Sequence, residues 1–405
     1  MLSLARFAQT AAQRKMTLSR LLSKVANPLP ATFLRGGTSK GIFLKRSDLP
    51  ENPDDWTPIF SGIMGSPDPV YRRQLNGMGG GVSSLSKICV VGPPSPANTD
   101  VDVEYTFVQV GIEDGELDLS GNCGNLSSMI GVFALDEGLC SPRVDGTGSL
   151  ATVRSFNTNT SKVIDTTFPV SSSHVADLDR PEVEMAGVPG QASRIVLQFV
   201  NPGGARTGKL LPTGSPVDIL QLDDPRLSNI PASLVDATNP TVFIAAENLA
   251  NAIHTEPRGI SANDLAQPDV VELIEAIRQA GAVRMGLDPS AKAQPKIAIL
   301  SVPEASDDAD IVIHAFSMGV LHKAVPMTVG LCLGVAAGVE GTIANGIATR
   351  ARASRDSAPN DSSLVRMRHP GGNVDVGAKF GEDGTVLNAQ VVRTGRRLMK
   401  GAVWW

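Results

Sequence analysis

Short runs of apolar residues, alternating or continuous, dominate the hydrophobic pattern of the chain. They are rich in β-branched and aromatic side chains and are bounded by turn-forming residues, which is typical of strands. The predicted strands cover 31–34, 41–44, 87–91, 101–110, 151–154, 194–200, 241–244, 296–300 and 311–316, with more around 364–376 and 386–393. The pattern therefore predicts a protein built mainly from sheet.

Two longer apolar segments have the length of helices. One follows Cys123 and runs to Leu135, and we expect it to form a single helix. The other, at 328–337, lies in the longest apolar run of the chain, Val325 to Val339. That run contains a proline and several glycines and is too short to span a bilayer, so it predicts a buried core helix.

A third helix is predicted to be amphipathic. It covers 268–280, with Pro268 in its first turn and Gly281 just past its end, which is the usual placement of these two residue types. Ser261 is expected to cap a shorter helical turn before it.

The strands and apolar helices repeat in two halves. A passage rich in glycine and proline, 201–214, marks the crossing between them. We expect halves at 28–208 and 209–405, each a sheet wrapped on one apolar helix, with both helices beginning at a common cleft. The fold class is therefore α/β (α+β).

Composition excludes several classes of function. The chain has 405 residues, a formal net charge of −5 and only 4 % aromatic residues, which argues against binding to nucleic acid. The four cysteines form no C-x-x-C pair and suit free thiols in a reducing compartment. The five histidines are scattered without the spacing of a metal site, so no metal is expected. A Ser-His-Asp hydrolase is not expected.

The first 26 residues differ from the rest. Residues 1–26 contain basic side chains, no acidic ones, and leucines at roughly helical spacing. This composition is typical of a mitochondrial transit peptide, and a disordered basic arm is the alternative. Met16 is a possible second start, which would leave a cytosolic form.

The segment Ser120–Asn125 carries a cysteine between two Gly-Asn pairs at the start of a predicted helix. Backbone N–H groups at a helix start are unpaired and favour negative charge. Such a position can stabilise a thiolate or bind a carboxylate. A free cysteine packed as a small hydrophobe is the alternative.

Two glycine-rich loops precede Cys123. Arg35–Gly41 offers Thr38 and Ser39 as hydroxyl donors but lacks P-loop spacing, and an ordinary hairpin turn explains it equally well. Asn76–Lys87 fails the dinucleotide fingerprint and predicts a flexible polar loop that ends in a lysine entering an apolar strand. Burial can lower the pKa of a lysine there enough for it to act as a base, although a solvent-exposed lysine is the simpler interpretation.

Two histidines stand beside other polar residues in the second half. His322 and Lys323 could bind carboxylates at the start of the second apolar helix, and a structural histidine is the alternative. His369 precedes Pro-Gly-Gly, which indicates a turn and a structural role.

Taken in order, the motifs of the chain resemble one family. They are Arg35–Gly41, Gly79–Lys87, Gly121–Asn125, Leu211–Gly214, His369–Gly371 and Val392–Met399. Over roughly residues 28–403 they resemble the 2-methylaconitate/methylitaconate isomerase family. The resemblance implies a diaminopimelate-epimerase-like fold of two pseudo-symmetric β-roll halves, each around a central helix, with the active site in the cleft between them. It also implies a cofactor-free isomerase of unsaturated di- and tricarboxylates.

The resemblance also implies which residues act. The family's catalytic lysine falls on Lys87 and its catalytic cysteine on Cys123. Relatives of the same fold that epimerise amino acids use two cysteines, whereas the second helix here opens with Pro-Met-Thr and has Cys332 one turn inside. We expect substrate-binding residues at Thr38, Ser39, Asn76, Ser83, Ser84, Gly124, Asn125, His322, Lys323 and Thr328.

Several functional alternatives stay open at this point. The first hypothesis is an isomerase that converts cis-aconitate to trans-aconitate, with a 2-methylaconitate isomerase of propionate breakdown as its alternative. An amino-acid racemase and a non-enzymatic partner of an aconitase-like enzyme are the other possibilities. We expect a small-molecule tricarboxylate as the partner, no nucleic acid, no membrane and conceivably a homodimer.

Overall fold

A computed structural model of the protein describes residues 25–255, 260–304, 307–353 and 363–405. The predicted basic arm, 1–26, lies outside the described residues except for its last two positions. Its role in targeting therefore stays a prediction.

Strands account for most of the regular structure. In chain order they are Leu29–Gly36 (β1), Ser39–Lys45 (β2), Lys87–Gly92 (β3), Val103–Val110 (β4), Leu117–Asp118 (β5), Arg143–Val144 (β6), Leu150–Asn157 (β7), Lys162–Pro169 (β8), Val183–Met185 (β9), Val188–Ala192 (β10), Ile195–Val200 (β11), Asp218–Gln221 (β12), Asn229–Ala237 (β13), Asn239–Ala245 (β14), Lys296–Ser301 (β15), Ile311–Ser317 (β16), Val320–Leu321 (β17), Leu364–His369 (β18), Gly372–Phe380 (β19), Val386–Arg393 (β20) and Gly395–Val403 (β21). Every predicted strand is present within one of these segments or overlaps it.

Helices are fewer and mostly short. They are Thr57–Met64 (α1), Gly124–Ser127 (α2), Ile130–Asp136 (α3), Ala246–Leu249 (α4), Ala262–Leu265 (α5), Pro268–Arg284 (α6), Met327–Gly338 (α7) and Ile343–Ala353 (α8). Single 3₁₀ turns occur at Arg46–Asp48, Pro53–Asp55, Ser83–Leu85 and Ala250–Ile253.

The described chain forms two compact units. The first holds the residues up to Val183, then Gln191–Ile195 and Arg393–Trp405, and the second holds Glu184–Gly190 and Val196–Val392. The first unit thus includes β21, because this strand returns to pair antiparallel with β1. The predicted repeat boundary at 208/209 is a different division, along the sequence, and stays a prediction.

The first unit is a sheet in the order β21–β1–β2–β3–β4–β7–β8. Successive pairs are antiparallel, antiparallel, parallel, antiparallel, parallel and antiparallel. One group of buried side chains on the sheet packs against α1, with Trp56 and Phe60 at its centre. The helix α3 packs elsewhere on the sheet, where the rings of Phe133 and Phe43 lie 5.5 Å apart.

The second unit repeats this pairing pattern. Its strands follow the order β12–β13–β14–β15–β16–β18–β19, and the pairs again run antiparallel, antiparallel, parallel, antiparallel, parallel and antiparallel. The helix α7 is buried from Val329 to Ala337, as predicted for a core helix. Each unit therefore combines one sheet with one apolar helical segment, α2 and α3 in the first and α7 in the second.

The predicted single helix after Cys123 is wrong, because the segment is broken into α2 and α3. Ser127 Oγ donates to the Cys123 carbonyl, and Ser128 Oγ donates to the Asn125 carbonyl. Serine hydroxyls that bond back to the preceding turn compete with helical hydrogen bonds and bend the backbone. Met129 N–H then donates to the Leu126 carbonyl, three residues back, and Met129 is the N-cap of α3.

The predicted end of the amphipathic helix at Gly281 is also wrong. Gly281 lies inside α6, and the glycine is required there by close packing, since a Cβ atom would meet Val242 at 2.5 Å. The helix ends instead before Gly286, which has a φ of +73°. Leu287 N–H donates to the Ala282 carbonyl, which completes a Schellman ending. The predicted Ser261 cap is confirmed as a capping box with Asp264.

Two adjacent helices of the second unit are together long and apolar enough to be compared with a membrane span. Within the described parts of the chain no single helix is long and apolar enough to cross a membrane, but α7 and α8, bent by 71° where they meet, reach this threshold as a pair.

Candidate active site

Lys87 opens β3 in the middle of the first sheet. Strand β3 is buried along its length because it lies between β2 and β4, and only its first residue is partly accessible. The Lys87 ammonium lies 5.8 Å from the centre of the Phe107 ring. The lysine therefore projects from a rigid strand rather than from a mobile loop.

Cys123 is the N-cap residue of α2, and its side chain is 8 % exposed. The loop before it is held by a polar network: Tyr105 Oη and Ser127 Oγ are 2.9 Å apart, and Tyr105 also donates to Asn122 Oδ1. Burial raises the pKa of Tyr105 above its ordinary value, so this phenol keeps its proton. The network fixes the backbone that carries the thiol.

The side chains of Lys87, Cys123 and Ser39 come together. Lys87 Nζ lies 3.3 Å from Cys123 Sγ and 3.4 Å from Ser39 Oγ, and the sulfur and the hydroxyl oxygen are 3.8 Å apart. Ser39 is buried at the start of β2. An amine, a thiol and a hydroxyl within one hydrogen-bond radius can remove a proton from one atom of a substrate and return it to another.

A second thiol, that of Cys89, lies on the strand that Lys87 opens. Cys89 is buried two residues along β3 from Lys87. Burial is the main cause that raises its pKa, with a further contribution from Cys123 and an opposing one from Lys87. Cys89 therefore stays protonated and packs as part of the core.

Thr38 and Asn125 form the next contact. The turn between β1 and β2 contains Gly37, with a φ of +54°, and Thr38, which is exposed. Asn125 Nδ2 donates to Thr38 Oγ1 at 3.1 Å. Gly124 and Asn125 are the first two residues of α2, so their N–H groups have no intrahelical acceptor. Because α2 has one turn only, these N–H groups contribute more to the binding of an anion than a helix dipole does.

Arg393 is a buried cation at this site that the sequence interpretation did not single out. Its Nε donates to Asn125 Oδ1 at 3.1 Å, across 268 residues of sequence. Burial lowers the pKa of Arg393 to about 10, and negative charge at Cys123 acts in the opposite direction. The signal was present in the Val392–Met399 motif, but nothing in the sequence shows that this strand end reaches α2.

The remaining predicted residues of the first unit lie in the loop before Lys87. Asn76 and Ser83 are exposed, and Ser84 is half-buried on a 3₁₀ turn. The buried side chain of Gln74 accepts hydrogen bonds from Ser86 Oγ and Gly81 N–H within this loop, and the predicted flexibility stays a prediction. Gln74 thus sets the path of the chain into Lys87.

The other three predicted binding residues belong to the second unit. His322 Nδ1 accepts the Ala324 N–H at 3.1 Å, which favours the structural alternative for this histidine. Lys323 is exposed, and Thr328 Oγ1 accepts a hydrogen bond from Asn239. Burial raises the pKa of Cys332 to about 12, so this cysteine is a poor second base.

Comparisons with known proteins show the family of the chain. A family model described as PrpF protein matches residues 27–405. The chain is 35 % identical to the 2-methyl-aconitate isomerase of Shewanella oneidensis, with 92 % of this chain and 96 % of the relative covered. It is also 35 % identical to the 3-methylitaconate isomerase of Eubacterium barkeri, with coverage of 93 % and 97 %.

A solved structure supports the fold directly. A crystal structure of methylitaconate-delta-isomerase superimposes with a TM-score of 0.78 at 34 % identity, over 93 % of this chain and 95 % of that one. The predicted fold class and the predicted enzyme class are thereby confirmed. The chain therefore belongs to the PrpF protein family and is an isomerase.

Proposed function

We propose that this isomerase shifts the double bond of an unsaturated tricarboxylate by allylic proton transfer, without a cofactor, and converts cis-aconitate to trans-aconitate. The observation that carries the proposal is the 3.3 Å approach of Lys87 Nζ to Cys123 Sγ, with Ser39 beside both. Two groups that can exchange protons, held by a strand and a helix cap, suit a reaction in which one proton leaves and another returns.

Lys87, in its neutral form, removes a proton from the methylene group of cis-aconitate, next to a carboxylate. The C–H electron pair becomes an allylic carbanion that is shared between two carbons, each of which carries a carboxylate. Cys123 or the newly formed ammonium then returns a proton to the carbon that was vinylic. The double bond has moved by one position, the product is again an aconitate, and rotation in the intermediate permits the trans geometry.

The carbanion needs a positive environment. Arg393 is buried and donates a hydrogen bond to Asn125, and the first N–H groups of α2 lie beside Cys123. Donors and charges that are fixed before the reaction stabilise developing negative charge without reorganisation. We assign the substrate carboxylates to Thr38, Ser39 and these N–H groups.

A second candidate substrate is 2-methylaconitate. The similarity to the 2-methyl-aconitate isomerase of Shewanella oneidensis favours a methyl-substituted acid of this kind. The two acids differ by one methyl group and need the same proton transfer, so the same site chemistry serves both.

The proposal is tested by proton NMR of the purified protein with cis-aconitate in D₂O. We expect trans-aconitate to appear, with deuterium in its methylene position, because the returned proton exchanges with solvent on Lys87 or Cys123. A parallel sample with 2-methylaconitate compares the two substrates.

Two lysine variants serve as controls. Lys87→Ala should abolish both conversion and exchange, whereas Lys296→Ala removes a half-buried lysine at the start of β15 and should preserve both. If neither acid showed conversion or exchange, the proposal would be ruled out. Conversion of 2-methylaconitate alone would select the second candidate.

A further inference from the structure

Asn125 is held between a cation and a hydroxyl. Arg393 Nε donates to its Oδ1 at 3.1 Å, and its Nδ2 donates to Thr38 Oγ1 at 3.1 Å. A guanidinium has donors only, so the amide oxygen must face Arg393 and the amide nitrogen must face Thr38. In the reverse orientation, the NH₂ group of Asn125 would face the N–H groups of Arg393, with no acceptor between them.

Close packing keeps the Asn125 side chain in this position. A Cβ atom added to Gly37 would lie 2.3 Å from Asn125 Oδ1, and one added to Gly36 would lie 2.4 Å from the Asn125 carbonyl oxygen. The two glycines therefore allow the turn to press directly on Asn125. The amide has little room to rotate away from its two partners.

The same turn is tied to the residue after Arg393. Gly37 N–H donates to the Thr394 carbonyl at 2.9 Å, and Arg35 Nη1 donates to Thr394 Oγ1 at 3.1 Å. Thr394 is buried. These bonds fix the distance between the Arg393 backbone and the turn that carries Thr38.

The Thr38 hydroxyl lies at the end of this series of contacts. Thr38 Oγ1 accepts from Asn125, so its own hydrogen points elsewhere, and the residue is exposed. We propose that Arg393 is a positioning residue: it orients Asn125 so that the Thr38 hydroxyl donates its hydrogen to a carboxylate of the substrate. This inference rests on the proposed function for its carboxylate ligand.

The isosteric variant Asn125→Asp tests the hydrogen-bond direction. A carboxylate at position 125 still accepts from Arg393, but it also accepts from Thr38, whose hydrogen is then taken from the substrate. We expect KM to rise about 10- to 100-fold, the usual effect of one hydrogen bond to a charged group, with a much smaller change in kcat. Thr38→Val should raise KM by a similar factor, and Thr38→Ser should restore it to within about threefold of the wild-type value.

The double variant Asn125→Asp/Thr38→Val separates positioning from independent effects. If Asn125 acts through Thr38, the double variant has the KM of either single variant. Multiplied effects, or a loss in kcat with KM unchanged, would overturn the proposal. Thermal unfolding of each variant shows whether the fold is preserved.

The side-chain amide of Asn125 gives a readout that needs no substrate. In ¹⁵N-labelled, ligand-free protein we expect its resonances to shift in Thr38→Val and in Arg393→Gln. Unchanged resonances in both variants would overturn the inference even if aconitate is converted. Shifted resonances in a protein that neither converts cis-aconitate nor binds tricarballylate would keep the orientation of Asn125 but would overturn the carboxylate role of Thr38 together with the proposed function.

Discussion

The strands that open with Lys87 and Lys296 occupy the same place in the two repeated sheets. Each lies between a parallel and an antiparallel neighbour, begins with Lys-Ile and is buried over the four residues that follow the lysine. Each lysine has a serine hydroxyl as a partner, Ser39 at 3.4 Å and Ser317 at 2.8 Å. The sheet alone therefore does not distinguish a reactive lysine from a structural one.

The difference comes from the helix that follows. Cys123 caps α2 in the first unit, whereas Pro326 occupies the equivalent N-cap of α7 in the second. Lys87 meets a thiol, and Lys296 instead lies near Arg278. The lysine–thiol pair of the proposed mechanism is therefore present in one copy of the repeated scaffold only, and the residue at the helix start distinguishes the two copies.

Part of the binding geometry is nevertheless kept in both units. In the first, Asn125 at the second position of α2 bonds to Thr38 in a hairpin turn. In the second, Thr328 at the second position of α7 accepts a bond from Asn239, next to the β13–β14 turn. The contact between turn and helix thus persists with the residue types exchanged, which indicates that it also stabilises each unit.

The sharpest test of this comparison replaces each lysine by alanine. Lys87→Ala should lower kcat by about 10³-fold or more, because a general base contributes about 10²- to 10⁴-fold. Lys296→Ala should leave kcat within about twofold, since surface-near substitutions are mild. Steady-state kinetics on the substrate found by NMR decides the matter, and equal losses in both variants would contradict the assignment of one reactive unit.

The two helix cysteines give the next largest contrast. We expect Cys123→Ala to lower kcat by about 10²-fold with little change in stability, as for the loss of one proton-transfer group. Cys332→Ala should retain kcat and lose about 1 kcal/mol of stability, because it leaves a small cavity in a buried helix. Kinetics and denaturant unfolding measure both, and a strong kinetic effect at Cys332 would revive a two-thiol mechanism.

The smallest expected effect concerns the charge on Lys296. Burial, helped by the Arg278 charge, lowers the pKa of Lys296 below its ordinary value of 10.5. Between the lowered value and 10.5 the unfolded chain binds more protons, so this lysine opposes folding at neutral pH and ceases to do so as the pH rises. Lys296→Met should therefore stabilise the protein at pH 7 by no more than about 0.5 kcal/mol, with the gain fading toward pH 10.5. Thermal unfolding across this range would contradict the idea if the gain were independent of pH.

The sequence predicted most of the long strands and the positions of the two apolar segments, because both depend on apolar runs between turn residues. It did not predict β8, β13 or the break between α2 and α3. It missed α1 and α8, whose buried faces are set by the sheets on which they pack. It also missed β21, since every residue from Arg396 to Ala402 is exposed and carries no pattern of burial. Pairing with β1 forms this strand, and pairing partners are not written in local sequence.

The site was predicted in part for a similar reason. Lys87, Cys123, Thr38 and Asn125 stand in local motifs with recognisable chemistry, and the structure brings them into contact as two pairs. Arg393 was missed because its contact with Asn125 spans 268 residues of sequence, and Gln74 because its bonds to Gly81 and Ser86 carry no local sequence signal. A buried polar side chain that aligns another is visible only once the chain has folded.

The pairing of β1 with β21 has a consequence for biosynthesis. The first unit closes only when its early residues meet ones made much later: Asn27 and Trp405, 378 positions apart, exchange hydrogen bonds. At a translation rate of about 5–20 residues per second, this interval lasts roughly 20–75 s. During this interval one edge of β1 has no partner strand. Arg393 and Thr394, whose contacts hold Asn125 and the turn with Thr38, have not yet been synthesised. Until the second half has been made, the proposed site is therefore incomplete and β1 lacks the strand that covers this edge.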